Sequence, residues 1–228
     1  MDLVEVLPQL HLLRFDVGQA YLWSDADALT LIDAGPGGSA PAIAEAVRSL
    51  GRRPGDIQRI IITHGHEDHV GGAAEAAGWG DALVLAGAAD AAVIRGERPA
   101  AEPVFVADWE RELRASLPPL PAVDPVRVDR ELHEGDTVDF GGGAQVFAVP
   151  GHTDGSIAIY LPGPRVLFTG DTIANVGNDA RLGVFNTDPE RAAESLARQA
   201  ELDTETACFG HGEAMVTGAA ERLRRLVG

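Results

Sequence analysis

The chain has 228 residues, 45% of them hydrophobic, with 27 glycines, 14 prolines and one cysteine, enough to close a core without disulfides. A formal charge of −17 argues against nucleic acid and anionic membranes as partners, because both are bound through clustered cations. The lone Cys208 excludes an intramolecular disulfide and a cysteine-rich zinc site. The acidic start Met1-Asp2-Leu3-Val4-Glu5 has no basic leader, and no apolar run approaches the ~18 residues of a membrane helix, so a cytoplasmic location is expected.

Residues 3–33 read as short strands with turns, at Leu10 to Phe15, Ala20 to Trp23 and Ala28 to Asp33, each apolar and bounded by Gly, Asp or Ser. After the loop Gly35-Pro36-Gly37-Gly38, Ser39 is the expected cap of a helix over Ala42 to Leu50, stopped by Gly51. Arg59 to Thr63 reads as a buried strand, His64 to His69 as a polar loop, and Val70 to Ala77 as a helix despite Gly71-Gly72. Leu83 to Leu85 is a further strand and Asp90 to Ile94 a helical turn. Residues 96–125 carry six prolines around one helical stretch, Asp108 to Ser116, and read as an insertion over the body of one domain spanning 1–228. Strands resume at Val126 to Val128, Thr137 to Phe140, Gln145 to Val149, Ser156 to Tyr160 and Val166 to Thr169. A helix over Asp188 to Leu202 has Asp188 as cap and Pro189 at its first position. A strand at Thr206 to Phe209 and a helix at Ala219 to Leu226 close the pattern, which suggests helices packed on stacked sheets.

The strongest chemical signal is Thr63-His64-Gly65-His66-Glu67-Asp68-His69. Imidazole nitrogens and carboxylates are ligands for zinc, iron and manganese, and a turn at a strand end can aim several at one point. Glu67 is expected to be solvated. His152, Asp171 and His211 lie at similar strand-to-loop junctions, each just after a glycine that lets the backbone turn sharply. Five of the seven histidines thus share one kind of local context. His11 and His133 match no motif and are expected to be structural, Cys208 to be a buried small residue, and Trp23 and Trp79 to pack in the core.

The ordered set H-x-H-x-D-H, G-H-T, G-D and G-H-G, together with the early Leu31-Ile32-Asp33-Ala34-Gly35, resembles the metallo-β-lactamase superfamily over residues 10 to 213. The resemblance implies an α+β fold, the four-layer αββα sandwich, with metals at one edge between two sheets. It implies two metal positions, the first held by His64, His66 and His152, the second by Asp68, His69 and His211, with Asp171 bridging. Two divalent ions are expected, zinc first, with manganese or iron as alternatives. Two cations about 3.5–4 Å apart can share a hydroxide that attacks a carbonyl or phosphoryl group. Asp68 is then also the expected catalytic residue, orienting the nucleophile or shuttling its proton. Asp33 is either a residue fixing a ligand or a simple turn.

Subgroups of the superfamily can be partly sorted. The residues after Asp171 are Thr172, Ile173 and Ala174, where lactonases of acyl-homoserine lactones typically place a tyrosine. The basic helical domain that glyoxalase II enzymes add for glutathione is not seen after His211. The charge of −17 speaks against RNA-processing members, and the absence of an export signal against secreted β-lactamases. The expectation is a dinuclear hydrolase for a small ester, thioester or lactone. A mononuclear iron sulfur dioxygenase and a phosphodiesterase are the alternatives. Asn175, Asn178 and Arg181 are candidate substrate contacts beside Asp171, and Trp109 is a candidate pocket wall in the insertion. The oligomeric state is left open.

Overall fold

A computed structural model describes residues 1–228. Seven strands lie side by side in chain order in the first sheet: Asp2–Leu7 (β1), Leu10–Arg14 (β2), Gln19–Ser24 (β3), Leu29–Ile32 (β4), Ile57–Ile62 (β5), Leu83–Gly87 (β6) and Arg130–Leu132 (β7). The first four pair antiparallel, and β4 to β7 pair parallel. The second sheet uses Thr137–Val138 (β8), Ala144–Ala148 (β9), Ile157–Leu161 (β10) and Val166–Phe168 (β11). A small hairpin of Ile173–Val176 (β12) and Asp179–Leu182 (β13) follows. The last strand, Thr206–Cys208 (β14), returns parallel to β11 and gives the order β14-β11-β10-β9-β8.

Side-chain alternation along the strands explains why two sheets stack. In β5, Ile60 and Ile62 face one core while Ile61 faces another. In β10, Ile157, Ile159 and Leu161 face the space between the sheets, whereas Ala158 and Tyr160 face outward. These central strands carry apolar residues on both faces because both faces are covered there. Ala40–Ser49 (α1), Glu67–Val70 (α2), Ala73–Ala76 (α3) and Ala91–Ile94 (α4) contribute Ile43, Val47, Val70, Ala73 and Ile94 to the core outside the first sheet. The helix Asp108–Ser116 (α5) lies in the insertion. Pro189–Ala200 (α6) and Ala219–Arg224 (α7) place Leu196 and Leu223 on the outer face of the second sheet. Three cores between four layers make the αββα sandwich. No helix is long and apolar enough to cross a membrane.

Several elements depart from the sequence reading. The expected helix over Val70 to Ala77 is two short pieces, α2 and α3, broken at Gly71-Gly72. There the chain runs against the Pro36–Gly37 backbone so closely that a Cβ on Gly71 would overlap it. Val126 to Val128 is not a strand. Val126 is buried under α4, with its N–H on Ile94 O at 2.9 Å, and pairing resumes only at β7. Ser39 does not cap α1; its hydroxyl donates back to Pro36 O at 2.6 Å. Asp188 does cap α6, accepting from Arg191 N at 3.1 Å. The hairpin β12–β13 was not expected. Its turn needs left-handed backbone at Gly177 and at Asn178, φ 61° and 66°, a conformation that Gly and Asn adopt most readily.

Ile61 sits fully buried between the sheets, while Gln58 on the same strand faces solvent. Ile61→Ala is expected to lower unfolding stability by about 2–5 kcal/mol through the cavity it leaves. Gln58→Ala is expected to stay within about 0.5 kcal/mol. Urea unfolding of the two variants checks this difference.

Candidate metal centre

Strand β5 ends at Ile62, and the chain turns at once into Thr63-His64-Gly65-His66 before α2 carries Asp68 and His69. His152 follows β9, Asp171 lies in a 3-10 turn after β11, and His211 follows β14. All seven candidate ligands meet at this edge of the sandwich. His64, His66 and His152 offer nitrogens within 4.8 Å of one another, as do the ligand atoms of Asp68, His69 and His211, and those of His64, His69 and Asp171. Asp171 joins the two groups. Its Oδ2 lies 3.1 Å from His211 Nε2, 3.7 Å from His152 Nε2 and 3.9 Å from His64 Nε2, and its Oδ1 lies 3.3 Å from His69 Nε2.

The two groups differ electrostatically. Burial pushes His64 well below its usual pKa and His152 down to about 4, and lowers His66. These three are neutral imidazoles, the form that coordinates a cation. In the other group Asp171 lifts His211 to about 10. Burial works against the charged form of His69, yet Asp171, Asp68 and Asp33 raise it well above its usual value. Burial also opposes the anions, but His69 and His211 hold Asp68 down to about 2, and His211 and His69 hold Asp171 well below the carboxylate range.

The donor set fits divalent cations on a direct observation. Nε2 of His64, Nε2 of His69 and Oδ1 of Asp171 are buried without a hydrogen-bond partner. Buried polar atoms are nearly always satisfied, and these converge on one space with the nitrogen and oxygen ligands that suit zinc, manganese or iron.

Asp33 turns out to be both a turn residue and a positioning residue. Its backbone is left-handed, φ 56°, a conformation Asp tolerates better than most residues. Its Oδ1 accepts from Thr63 N at 2.7 Å, and its Oδ2 from Thr63 Oγ1 and His69 Nδ1, both at 2.8 Å. Because Thr63 gives its hydroxyl proton to Asp33, His64 Nδ1, 3.0 Å from Thr63 Oγ1, must be the donor there. His64 Nε2 is then left with its lone pair facing Asp171. One carboxylate thus orients two imidazoles.

Other supports were not foreseen. Asp90 is buried, with Oδ2 accepting from Gly65 N and Thr153 Oγ1 at 2.8 and 2.7 Å, and Oδ1 from Gly155 N at 2.9 Å. It ties the His64–His66 loop to the His152 loop. It stands where a helix cap stands, before α4, yet makes no cap hydrogen bond. The available signal was its place just past a parallel strand. Gln19 and Tyr21 of β3 hold the last loop: Gln19 Nε2 donates to Phe209 O and Gly212 O, and Tyr21 Oη donates to Phe209 O at 2.8 Å and accepts from its N–H at 3.0 Å.

Remaining candidates fall outside the cluster. Asn175 is buried and donates to Glu213 O, Asn178 sits in the hairpin turn, and Arg181 pairs with Asp179 at 2.7 Å. Trp109 is exposed on α5 and does not line the cavity next to His66. Trp23 is buried between the sheets, and Trp79 packs against the outer core of the first sheet. His11 lies in β2, His133 is exposed, and Glu67 faces solvent. Cys208 is buried between the sheets, and burial pushes its thiol up.

Asp33→Asn keeps the shape and tolerates the left-handed backbone, but sets an amide where two acceptors are needed. It is expected to weaken metal affinity about 10–100-fold with the circular dichroism spectrum retained, as competition with a chromogenic chelator would show. Gly210 leaves no room for a side chain, since a Cβ there would overlap Asp171 Oδ1 and lie 2.8 Å from His69 Cε1. Gly210→Ala is expected to release bound metal under dialysis that leaves the wild type loaded.

Residues 13–211 match the family model described as the metallo-beta-lactamase superfamily. A hydroxyacylglutathione hydrolase of Rhodobacter capsulatus is 34% identical over 196 residues, which are 84% of this chain and 61% of that protein. The chain therefore spans less than two thirds of that relative's length. The probable metallo-hydrolase YflN of Bacillus subtilis strain 168 is 30% identical over 229 aligned positions, covering 91% of this chain and 85% of that one. The crystal structure of a metallo-beta-lactamase family protein from Thermus thermophilus superposes with a TM-score of 0.71 at 26% identity, over 97% of this chain and 79% of that one. A subclass B3 metallo-beta-lactamase from a soil metagenome library, 23% identical with a TM-score of 0.72 over 92% of this chain and 80% of that one, shares the fold. Motif order, layered fold and family match agree, and the chain belongs to the metallo-beta-lactamase superfamily.

Proposed function

We propose that the chain is a dinuclear metal-dependent hydrolase acting on a small ester, thioester or lactone. His64, His66 and His152 hold one cation, Asp68, His69 and His211 the other, and Asp171 bridges them. The observation that carries this reading is the position of Asp171, with its two oxygens 3.1–3.9 Å from four histidine nitrogens drawn from both groups. A pair of divalent ions supplies an activated water and polarises the scissile carbonyl, with zinc the first expectation for this nitrogen-rich set.

The residues of the chain divide the remaining work. The neutral His64, His66 and His152 coordinate without losing a proton, whereas His69 and His211, whose charged forms Asp171 and Asp68 favour, give up a proton to take a cation. Asp68, kept anionic by His69 and His211, orients the attacking water. Asp33, Asp90, Gln19 and Tyr21 keep the loops from relaxing, which holds the reacting groups in register. The thioester is one of three substrates to test because a relative is named for the hydrolysis of an acylglutathione. The partner is a small molecule, and a cytoplasmic location is part of the same reading.

Protein purified without added metal is expected to contain about two metal ions per chain and to hydrolyse at least one of a thioester, a lactone and a simple ester. His66→Ala and Asp171→Ala are expected to abolish that activity. One iron per chain, no hydrolysis and persulfide-dependent oxygen uptake would overturn the hydrolase. Cleavage confined to a phosphodiester would change the substrate class. Removing metal leaves buried polar atoms unpaired, so the chelator-stripped protein is expected to melt at a lower temperature, and zinc at ~100 times its Kd to restore about 2.7 kcal/mol. Differential scanning fluorimetry across a zinc titration reads this directly.

A further inference from the structure

A cavity of about 230 Å³ is lined by Gly65 and His66 on the side of the candidate ligands and by residues of the 98–101 segment elsewhere. At ~30 Å³ per water it has room for a short acyl chain. Val93, Pro99, Ala100 and Ala101 give it an apolar wall, and the exposed Arg98 lines it beside them.

The polar groups around it are almost all spent. Thr153 Oγ1 donates to Asp90 and Thr187 Oγ1 to Gly151 O. The Gly65 N–H is taken by Asp90. Asp90 itself accepts three hydrogen bonds, and Asp154 lies 3.6 Å from Arg191 Nη1. Arg98 is different. It donates once, through Nη2 to Ala89 O, and leaves Nε and Nη1 without an acceptor. No carboxylate pairs with it, although the chain carries 35 Asp and Glu against 18 basic residues and most of its arginines are paired. A planar cation with free donors beside an apolar wall matches a carboxylate carried on a short acyl chain.

We propose that this cavity is the acyl pocket and that Arg98 binds a carboxylate at the far end of the acyl group. The substrate class is then a monoester or monothioester of a short dicarboxylic acid. The inference rests on the hydrolase reading for its chemistry but has its own binding test.

The experiment compares glutaryl and butyryl thioesters of one thiol as substrates of the metal-loaded enzyme. It also compares glutarate with butyrate as ligands in calorimetry. The wild type is expected to favour the glutaryl thioester in kcat/KM and to bind glutarate more tightly. In Arg98→Met the KM for the glutaryl thioester is expected to rise about 10–100-fold, the scale of a lost charge-assisted hydrogen-bond pair, with kcat held. Arg98→Lys, which keeps the charge without the fork, is expected to recover part of the loss. Equal use of both thioesters, or a glutaryl preference that survives in Arg98→Met, would overturn the pocket assignment and leave the hydrolase standing. Tight glutarate binding lost in Arg98→Met, with neither thioester nor the matching glutaryl ester cleaved, would uphold the anion site and overturn hydrolysis there.

Discussion

The carboxylate of Asp33 is the constraint on which the site depends. It stands at the end of β4 in a left-handed conformation and takes hydrogen bonds from the backbone and side chain of Thr63 and from His69. Those bonds join the ends of two parallel strands to the start of α2. They also decide which nitrogen of His64 and of His69 faces Asp171. A buried carboxylate is costly to leave unpaired, so the same interaction that satisfies Asp33 fixes the loop. Asp90 repeats the device across the sandwich, and Gln19 with Tyr21 does so for the loop of His211. The loops of His64, His152 and His211 are thereby each anchored to a strand or to one another.

The charge pattern follows from that packing. His64, His66 and His152 are crowded together at ring separations of 4.7 Å, and burial with mutual repulsion keeps them neutral. Asp68, His69, His211 and Asp171 pair as acids and bases. The two halves meet at Asp171 and where the His64 and His69 rings approach to 4.1 Å, and Gly210 beside Asp171 lets the final loop approach it. Unpartnered buried nitrogens and a carboxylate oxygen are unfavourable in a sandwich whose three cores are otherwise well filled. Cations would relieve the imbalance, which couples metal loading to the stability of the fold.

Much of this was legible in the sequence because the informative residues are local. His64 to His69 fall within one turn, and the glycines before His152, Asp171 and His211 mark backbone that must bend. The order of strands and helices suggested helices packed on stacked sheets, and the resemblance carried by the motifs implied the four-layer form. Other features depended on contacts distant in sequence. Asp90 reads as an ordinary residue before a helical turn until Gly65, Thr153 and Gly155 are brought to it. Gln19 and Tyr21 act on a loop some 190 positions away. The break between α2 and α3 comes from the Pro36–Gly37 backbone lying across them. Asn175, Asn178 and Arg181 were singled out for nearness in sequence to Asp171, but Asn178 serves the hairpin turn, Arg181 pairs with Asp179, and Asn175 donates to Glu213 O of the last loop.

The most direct test of the account is anomalous X-ray diffraction from crystals of the metal-loaded protein, collected above and below the absorption edge of the metal found in it. The account predicts two peaks on either side of Asp171, one among His64, His66 and His152 and one among Asp68, His69 and His211. A single peak, or metal bound away from Asp171, would contradict it.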